Sequence, residues 1–100
     1  MLTIDSQIDG TDAHVALKGM LNAASAPVFA AFINELPDEV VSVTVDCTDL
    51  RYTSSAGLRV ILMLQTHMDE VNGTLVFTNV NSVMMEVFED TGFVDFLTIE

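Results

Sequence analysis

Apolar and polar residues alternate at the start of the chain. Leu2, Ile4 and Ile8 share one parity with Ser6 among them, the period-two signature of a strand. The turn cluster Asp9-Gly10-Thr11-Asp12 follows, and Val15 and Leu17 then alternate with Ala16 and Lys18 in a second strand. So short a turn predicts an antiparallel hairpin. Gly19 to Ala24 reads as a connection. Ser25 reads as the N-cap of a first helix, with Pro27 in the first turn, where a missing N–H does no harm. Val28, Phe32 and Leu36 recur every four residues beside Phe29 and Ile33, an amphipathic stripe that Pro37 ends. Val40 to Val45, rich in β-branched residues, predicts an interior strand, and Thr48 to Thr53 reads as a short polar connection. Helical spacing returns from about Ser55 to Val71 in Val60, Leu64, Met68 and Val71, widened by Leu58, Ile61 and Leu62, with His67 on the same stripe. Asn72-Gly73 supplies the stop, with glycine in the left-handed position. Leu75-Val76-Phe77 is another strand, and the strand–helix–strand succession implies parallel pairing through a right-handed crossover. Asn81 or Ser82 caps a last helix carrying Val83, Met84, Val87 and Phe88, which Gly92 ends. Phe93 to Ile99 forms a final strand or a packed turn. The order β-β-α-β-α-β-α, with that last strand, predicts an α/β fold: one domain with a mixed, four- to five-stranded sheet covered by helices.

Composition narrows what such a domain does. One hundred residues, half of them apolar, fit one ordered domain with a modest core. The single cysteine, Cys47, permits no intramolecular disulfide and no metal cluster, as in a reducing cytoplasm. No apolar run approaches the ~18 residues of a membrane span, and Met1 to Asp5 lack the basic region and apolar core of a signal peptide. A cytoplasmic location is expected. Fifteen acidic residues against three basic ones leave a net charge of −12. That charge repels nucleic-acid backbones and anionic membranes and attracts a protein partner with a basic face; it also serves solubility.

The candidate chemistry is concentrated where the second helix begins. Thr53, Ser54 and Ser55 place three hydroxyls in a row at its start. One helix cap needs one hydroxyl, so the surplus nominates a modification site. A phosphate there adds about −1.5 to −2 charges beside the positive end of the helix dipole, compatible with the fold. Arg51 and Arg59, two of the three basic residues, lie within four positions of Ser55, and Arg59 stands at i+4. In the unmodified state the arginines are expected to pair with local acids such as Asp49. Gly57 in the first turn either leaves the backbone open to a partner or allows close packing on a neighbouring strand. Arg59, Met63, Thr66 and Glu70 fall at i, i+4, i+7 and i+11 and should face away from the apolar stripe. An enzymatic reading needs a base about 3 Å from Ser55. His67 lies twelve residues along the same helix, roughly 18 Å away, and His14 lies on an early strand. No nucleophile elbow and no glycine-rich phosphate loop is present. Asp46 and Asp49 fit strand-end and turn positions, and Cys47 a small buried apolar one. The residues therefore favour a regulatory protein that is not an enzyme and uses no cofactor or metal.

Around these residues the chain resembles the STAS-domain family of anti-sigma factor antagonists. The family pattern is a hydrophobic strand ending in Asp, then a segment closing on Asp-Ser-Ser/Thr/Ala-Gly-Leu at a helix start. It is matched by Val45-Asp46-Cys47-Thr48-Asp49-Leu50 and Thr53-Ser54-Ser55-Ala56-Gly57-Leu58-Arg59-Val60, with Ser54 at the family's Asp position. Leu17-Lys18-Gly19-Met20-Leu21-Asn22, Ser25-Ala26-Pro27 and Thr91-Gly92-Phe93 extend the likeness over nearly the whole chain. The resemblance implies a partner switch. The unmodified protein binds an anti-sigma factor that is also a serine kinase, phosphorylation of the motif serine breaks the complex, and a PP2C-type phosphatase resets it. The motif serine maps to Ser55, with Ser54 as the alternative. The partner-binding surface is expected at Asp46, Thr53, Ser54, Ser55, Gly57, Arg59 and Met63. Another expectation is a STAS module in a different signalling assembly, never phosphorylated.

Overall fold

The computed structural model describes residues Met1–Glu100. Five strands and three helices follow one another as β1 (Leu2–Asp9), β2 (Asp12–Leu21), α1 (Ala26–Asn34), β3 (Ser42–Thr53), α2 (Ser55–Glu70), β4 (Thr74–Thr78), α3 (Ser82–Thr91) and β5 (Thr98–Ile99), with a single 3₁₀ turn at Phe93–Asp95. The sheet order is β1-β2-β3-β4-β5. The hairpin β1–β2 is antiparallel and every other pair is parallel, so the mixed sheet is as expected. The tail from Phe93 to Ile99 combines the two forms expected of it, a turn and then a short strand.

One face of the sheet carries the core. Val15 and Leu17 of β2, Val43, Val45 and Cys47 of β3, and Leu75 and Phe77 of β4 are buried. They join one apolar cluster with Phe29 and Ile33 of α1, Ile61, Leu64 and Met68 of α2, and Met84 and Phe88 of α3. The alternating residues His14, Lys18, Thr44, Asp46 and Thr78 are exposed or half-exposed, so the helices cover one face and leave the other open.

Several local expectations are corrected. Thr48 to Thr53 is no connection but the second half of β3, and β2 likewise continues through Gly19 to Leu21. Irregularities in the β2–β3 register, between Ala16 and Lys18 and between Gly19 and Met20, let Leu50 and Thr53 turn inward despite their polar neighbours. Val40 is buried in the loop ahead of β3, which begins at Ser42. Gly19, at φ +103°, lies against the Met1 carbonyl, where a Cβ has no room. Ser25 does not cap α1: its hydroxyl donates to the Met20 carbonyl (2.8 Å) and accepts from the Asn22 N–H (2.9 Å). At the end of α2 the left-handed residue is Asn72 (φ 55°), while Gly73 is needed for space, since a Cβ would collide with the Val41 carbonyl oxygen and lie 2.7 Å from the Met68 methyl carbon. Asn81 caps α3 by accepting from the Met84 N–H (2.8 Å), and Gly92 ends it at φ 79°.

Candidate functional site

β3 is twelve residues long and its parallel neighbour β4 only five, so the end of β3 runs on past β4, paired with β2 alone. That extension delivers the chain to the start of α2. Ser54 is extended (φ −93°, ψ 177°); its N–H donates to the Leu21 carbonyl (2.8 Å) and its carbonyl accepts from the Leu58 N–H (3.0 Å). The backbone of Ser54 thus bolts the helix start to the end of β2.

The two serines differ sharply. The Ser54 hydroxyl oxygen is out of contact with water and has no hydrogen-bond partner. Although it stands at the N-cap position, it does not cap α2, and no other side chain caps the first turn. Ser55, the first residue of the helix, is exposed. Its hydroxyl stands at the open, positive end of a sixteen-residue helix.

Thr53 is 1% exposed and donates to the Ser54 carbonyl (3.2 Å). Gly57 is buried as well. A Cβ on Gly57 would run into the Thr53 hydroxyl oxygen and lie 2.6 Å from Leu21 Cγ and 2.9 Å from the Leu21 carbonyl oxygen. The close-packing reading of Gly57 therefore holds, and Thr53 and Gly57 support the surface from beneath instead of forming it. Arg59, one turn after Ser55, and Met63, one turn further, are exposed as their spacing requires, together with Thr66 and Glu70. Neither Arg59 nor Arg51 forms an ion pair; the one ion pair of the structure joins Lys18 to Asp5 (3.0 Å), so the pairing expected with Asp49 is absent.

Asp46 lies elsewhere. Six strand residues lie between it and Thr53, a span of roughly 20 Å. Its Oδ1 accepts from the Thr48 hydroxyl (2.6 Å), the Thr48 N–H (3.0 Å) and the Asn79 amide (3.0 Å). These bonds, the Thr48 hydroxyl foremost, hold its carboxyl below the ordinary aspartate value. Asp46 is a clasp between β3 and the loop after β4, not part of the Ser55 surface. A depressed folded pKa contributes stability that is present above the unfolded value and lost as pH falls through the folded one. Asp46→Asn should therefore unfold at lower urea than the wild type at pH 7, and the gap should close as pH is lowered below the normal aspartate range. A gap that stays constant across that range would refute the clasp.

Two surface features near Ser55 escape a reading of local periodicity. Met20 and Tyr52 are register partners on β2 and β3, 39% and 42% exposed, on the stretch mistaken for a loop. The groove between α1 and α2, about 540 Å³, is lined by Ile33, Leu36, Arg59, Leu62, Met63 and His67 among others. His67, placed on the apolar stripe by its spacing, is exposed there. Strand alternation of Met20 and Tyr52 would have pointed to the first feature; nothing local points to the second, which needs the packing of α1 on α2. Burial pushes the Cys47 thiol up to about 12, which suits a core residue.

The family model described as Mlab, STAS domain matches residues 4–98. The chain belongs to the STAS-domain family. It is 35% identical over 99 residues to BtrV of Bordetella bronchiseptica (strain ATCC BAA-588 / NCTC 13252 / RB50), a protein named an anti-sigma factor antagonist, covering 98% of this chain and 84% of BtrV. The fold is shared with the crystal structure of an anti-sigma factor antagonist from Mycobacterium paratuberculosis (TM-score 0.86, 14% identity, 99% of this chain and 85% of that one). It is shared also with the Bacillus cell fate determinant SpoIIAA in its phosphorylated form (TM-score 0.75, 17% identity, 100% and 91%). SpoIIAA in its unphosphorylated form matches to nearly the same degree (TM-score 0.77, 16% identity, 100% and 87%). No helix of this STAS domain is long and apolar enough to cross a membrane.

Proposed function

We propose that this STAS domain is an anti-sigma factor antagonist that acts as a phosphorylation-controlled partner switch. Unmodified, it binds an anti-sigma factor that is also a serine kinase; phosphorylation at Ser55 ends the complex, and a PP2C-type phosphatase restores it. The observation that carries this reading is the contrast between adjacent serines. Ser55 offers an exposed hydroxyl at the uncapped start of α2, while the hydroxyl of Ser54 is shut away from water. A kinase reaches the first and not the second.

The surface around it suits a protein partner. Arg59 and Met63 continue from Ser55 along the exposed side of α2, and Met20 and Tyr52 present apolar area on the sheet side. A phosphate on Ser55 meets the positive end of the helix dipole and an arginine at i+4 with no ion-pair partner to give up. Modification is therefore compatible with the fold and acts on the surface alone. The role is regulatory, not catalytic, and the output is release of whatever the bound partner otherwise holds.

Incubation with ATP and the kinase partner, followed by peptide mass spectrometry, tests the assignment. One phosphate is expected on Ser55 in the wild type, none in Ser55→Ala, and normal incorporation in Ser54→Ala. Phosphate on Ser54 would overturn the assignment to Ser55 and move the switch one residue upstream; no phosphate on a domain that still binds its partner would replace the switch with an unphosphorylated scaffold.

A further inference from the structure

The two edges of the sheet are unlike. β5 is two residues long and offers almost no free backbone. β1 is eight residues long, pairs with β2 in unbroken register, and contains no proline, lysine or bulge. Those are among the devices that ordinarily blunt an edge strand; the charges β1 does carry, Asp5 and Asp9, restrict the registers open to it and leave its backbone groups free. The Met20 N–H donates to the Met1 carbonyl (3.2 Å) in the register of the hairpin. Thr3, Asp5, Gln7 and Asp9 therefore turn their backbone groups towards β2, and Leu2, Ile4, Ser6 and Ile8 turn theirs outwards. On the same strand Ile8 is 42% exposed, an apolar side chain at an open edge.

We propose that β1 is a self-association edge at which a second copy of this chain pairs antiparallel, extending the sheet across a two-fold axis at Ser6. The charges select the register. With the axis at Ser6, Ile4 faces Ile8 of the second copy, Ser6 faces its own equivalent, Asp5 faces Gln7 and Thr3 faces Asp9. A slide of two residues one way sets Asp5 against Asp5, and the other way sets Asp5 against Asp9. Like charges directly opposite destabilise a strand pair. A slide of one residue sets outward-turned groups against inward-turned ones and forms no ladder. The Ser6-centred register thus keeps carboxylates from directly facing one another, and it covers Ile8 with Ile4 twice over. The helices of both copies lie on the same side of the continuous sheet. Ser55 lies past the end of β3, two strands in from this edge, so the pairing stands independently of the switch.

Each copy carries a net charge of −12, so association should strengthen with added salt, the reverse of an ion-pair interface. Sedimentation equilibrium of the full chain from micromolar to millimolar concentration, in low and high salt, tests this. The expected result is a reversible monomer–dimer equilibrium that shifts towards dimer in high salt. Ser6→Pro deletes an outward N–H and leaves the ladder to β2 intact, as edge prolines do. It should raise the dissociation constant roughly tenfold or more. Ile8→Lys sets a charge against Ile4 and should do the same; both variants should keep the wild-type circular dichroism. Should Ser6→Pro fail to fold, Ile8→Lys decides, because Ile8 is already half in water. A monomer at every concentration in high salt would overturn the proposal, as would a dimer that the variants leave intact.

Discussion

Ser55→Asp should lose its partner while folding as well as the wild type. A fixed carboxylate at the first position of α2 sits at the positive end of the helix dipole, which favours folding by a few tenths to about 1 kcal/mol. The same charge must shed water when a partner docks on the surface formed with Arg59 and Met63. Burying a charge that the partner does not match costs roughly 3 kcal/mol, about a hundredfold in affinity. Calorimetric titration against the anti-sigma factor should show that loss for Ser55→Asp and near-wild-type binding for Ser55→Ala, with urea midpoints no lower in either variant. The combination is diagnostic, because loss of binding with loss of stability would mean only that α2 had been disturbed. Equal affinity of Ser55→Asp and wild type would sink the switch.

Gly57→Ala should destabilise the domain by about 1–3 kcal/mol, the usual cost of forcing a group into a packed site. In an ordinary helix interior the same change stabilises by up to about 1 kcal/mol. The sign is reversed here because the added methyl collides with the Thr53 hydroxyl and crowds the side chain and carbonyl of Leu21. Those contacts hold the first turn of α2 on the end of β2, so the variant should also displace Ser55 and weaken partner binding. Urea denaturation gives the stability change. Thr53→Ala, which removes the colliding hydroxyl, should recover part of the loss in the double variant, since residues in contact do not add. A neutral or stabilising Gly57→Ala would refute the packing of α2 on Leu21.

The errors of a reading by periodicity all concern places where one segment's neighbours matter more than its own pattern. Thr48, Asp49, Arg51 and Tyr52 look like a loop because four polar or amphipathic side chains interrupt the apolar rhythm. They form a strand because the second half of β2 pairs with them and the sheet's open face accepts their side chains. Ser25 has the residue type of a cap, yet its hydroxyl goes to Met20 and Asn22 in a turn. Asp46 belongs to the family motif and falls near Ser55 in sequence, but an extended chain carries the two far apart. Arg51 and Arg59 are surrounded by acids in composition and have none within ion-pair reach in space.

What the chain determines locally is considerable. Period-two and period-four rhythms of Leu, Val, Ile and Phe set the order of strands and helices, because a strand or helix repeats its exposure every two or roughly 3.6 residues whatever it packs against. The same local reading brings the candidate site down to Thr53, Ser54 and Ser55. Only the tertiary structure separates them. Leu21, from a strand far upstream, captures the Ser54 backbone and packs beneath Gly57, and Thr53 sinks into the contact. Ser55 is left in water. Burial of a hydroxyl depends on which distant surface closes over it, and that surface comes into being only when α2 docks on the ends of β2 and β3.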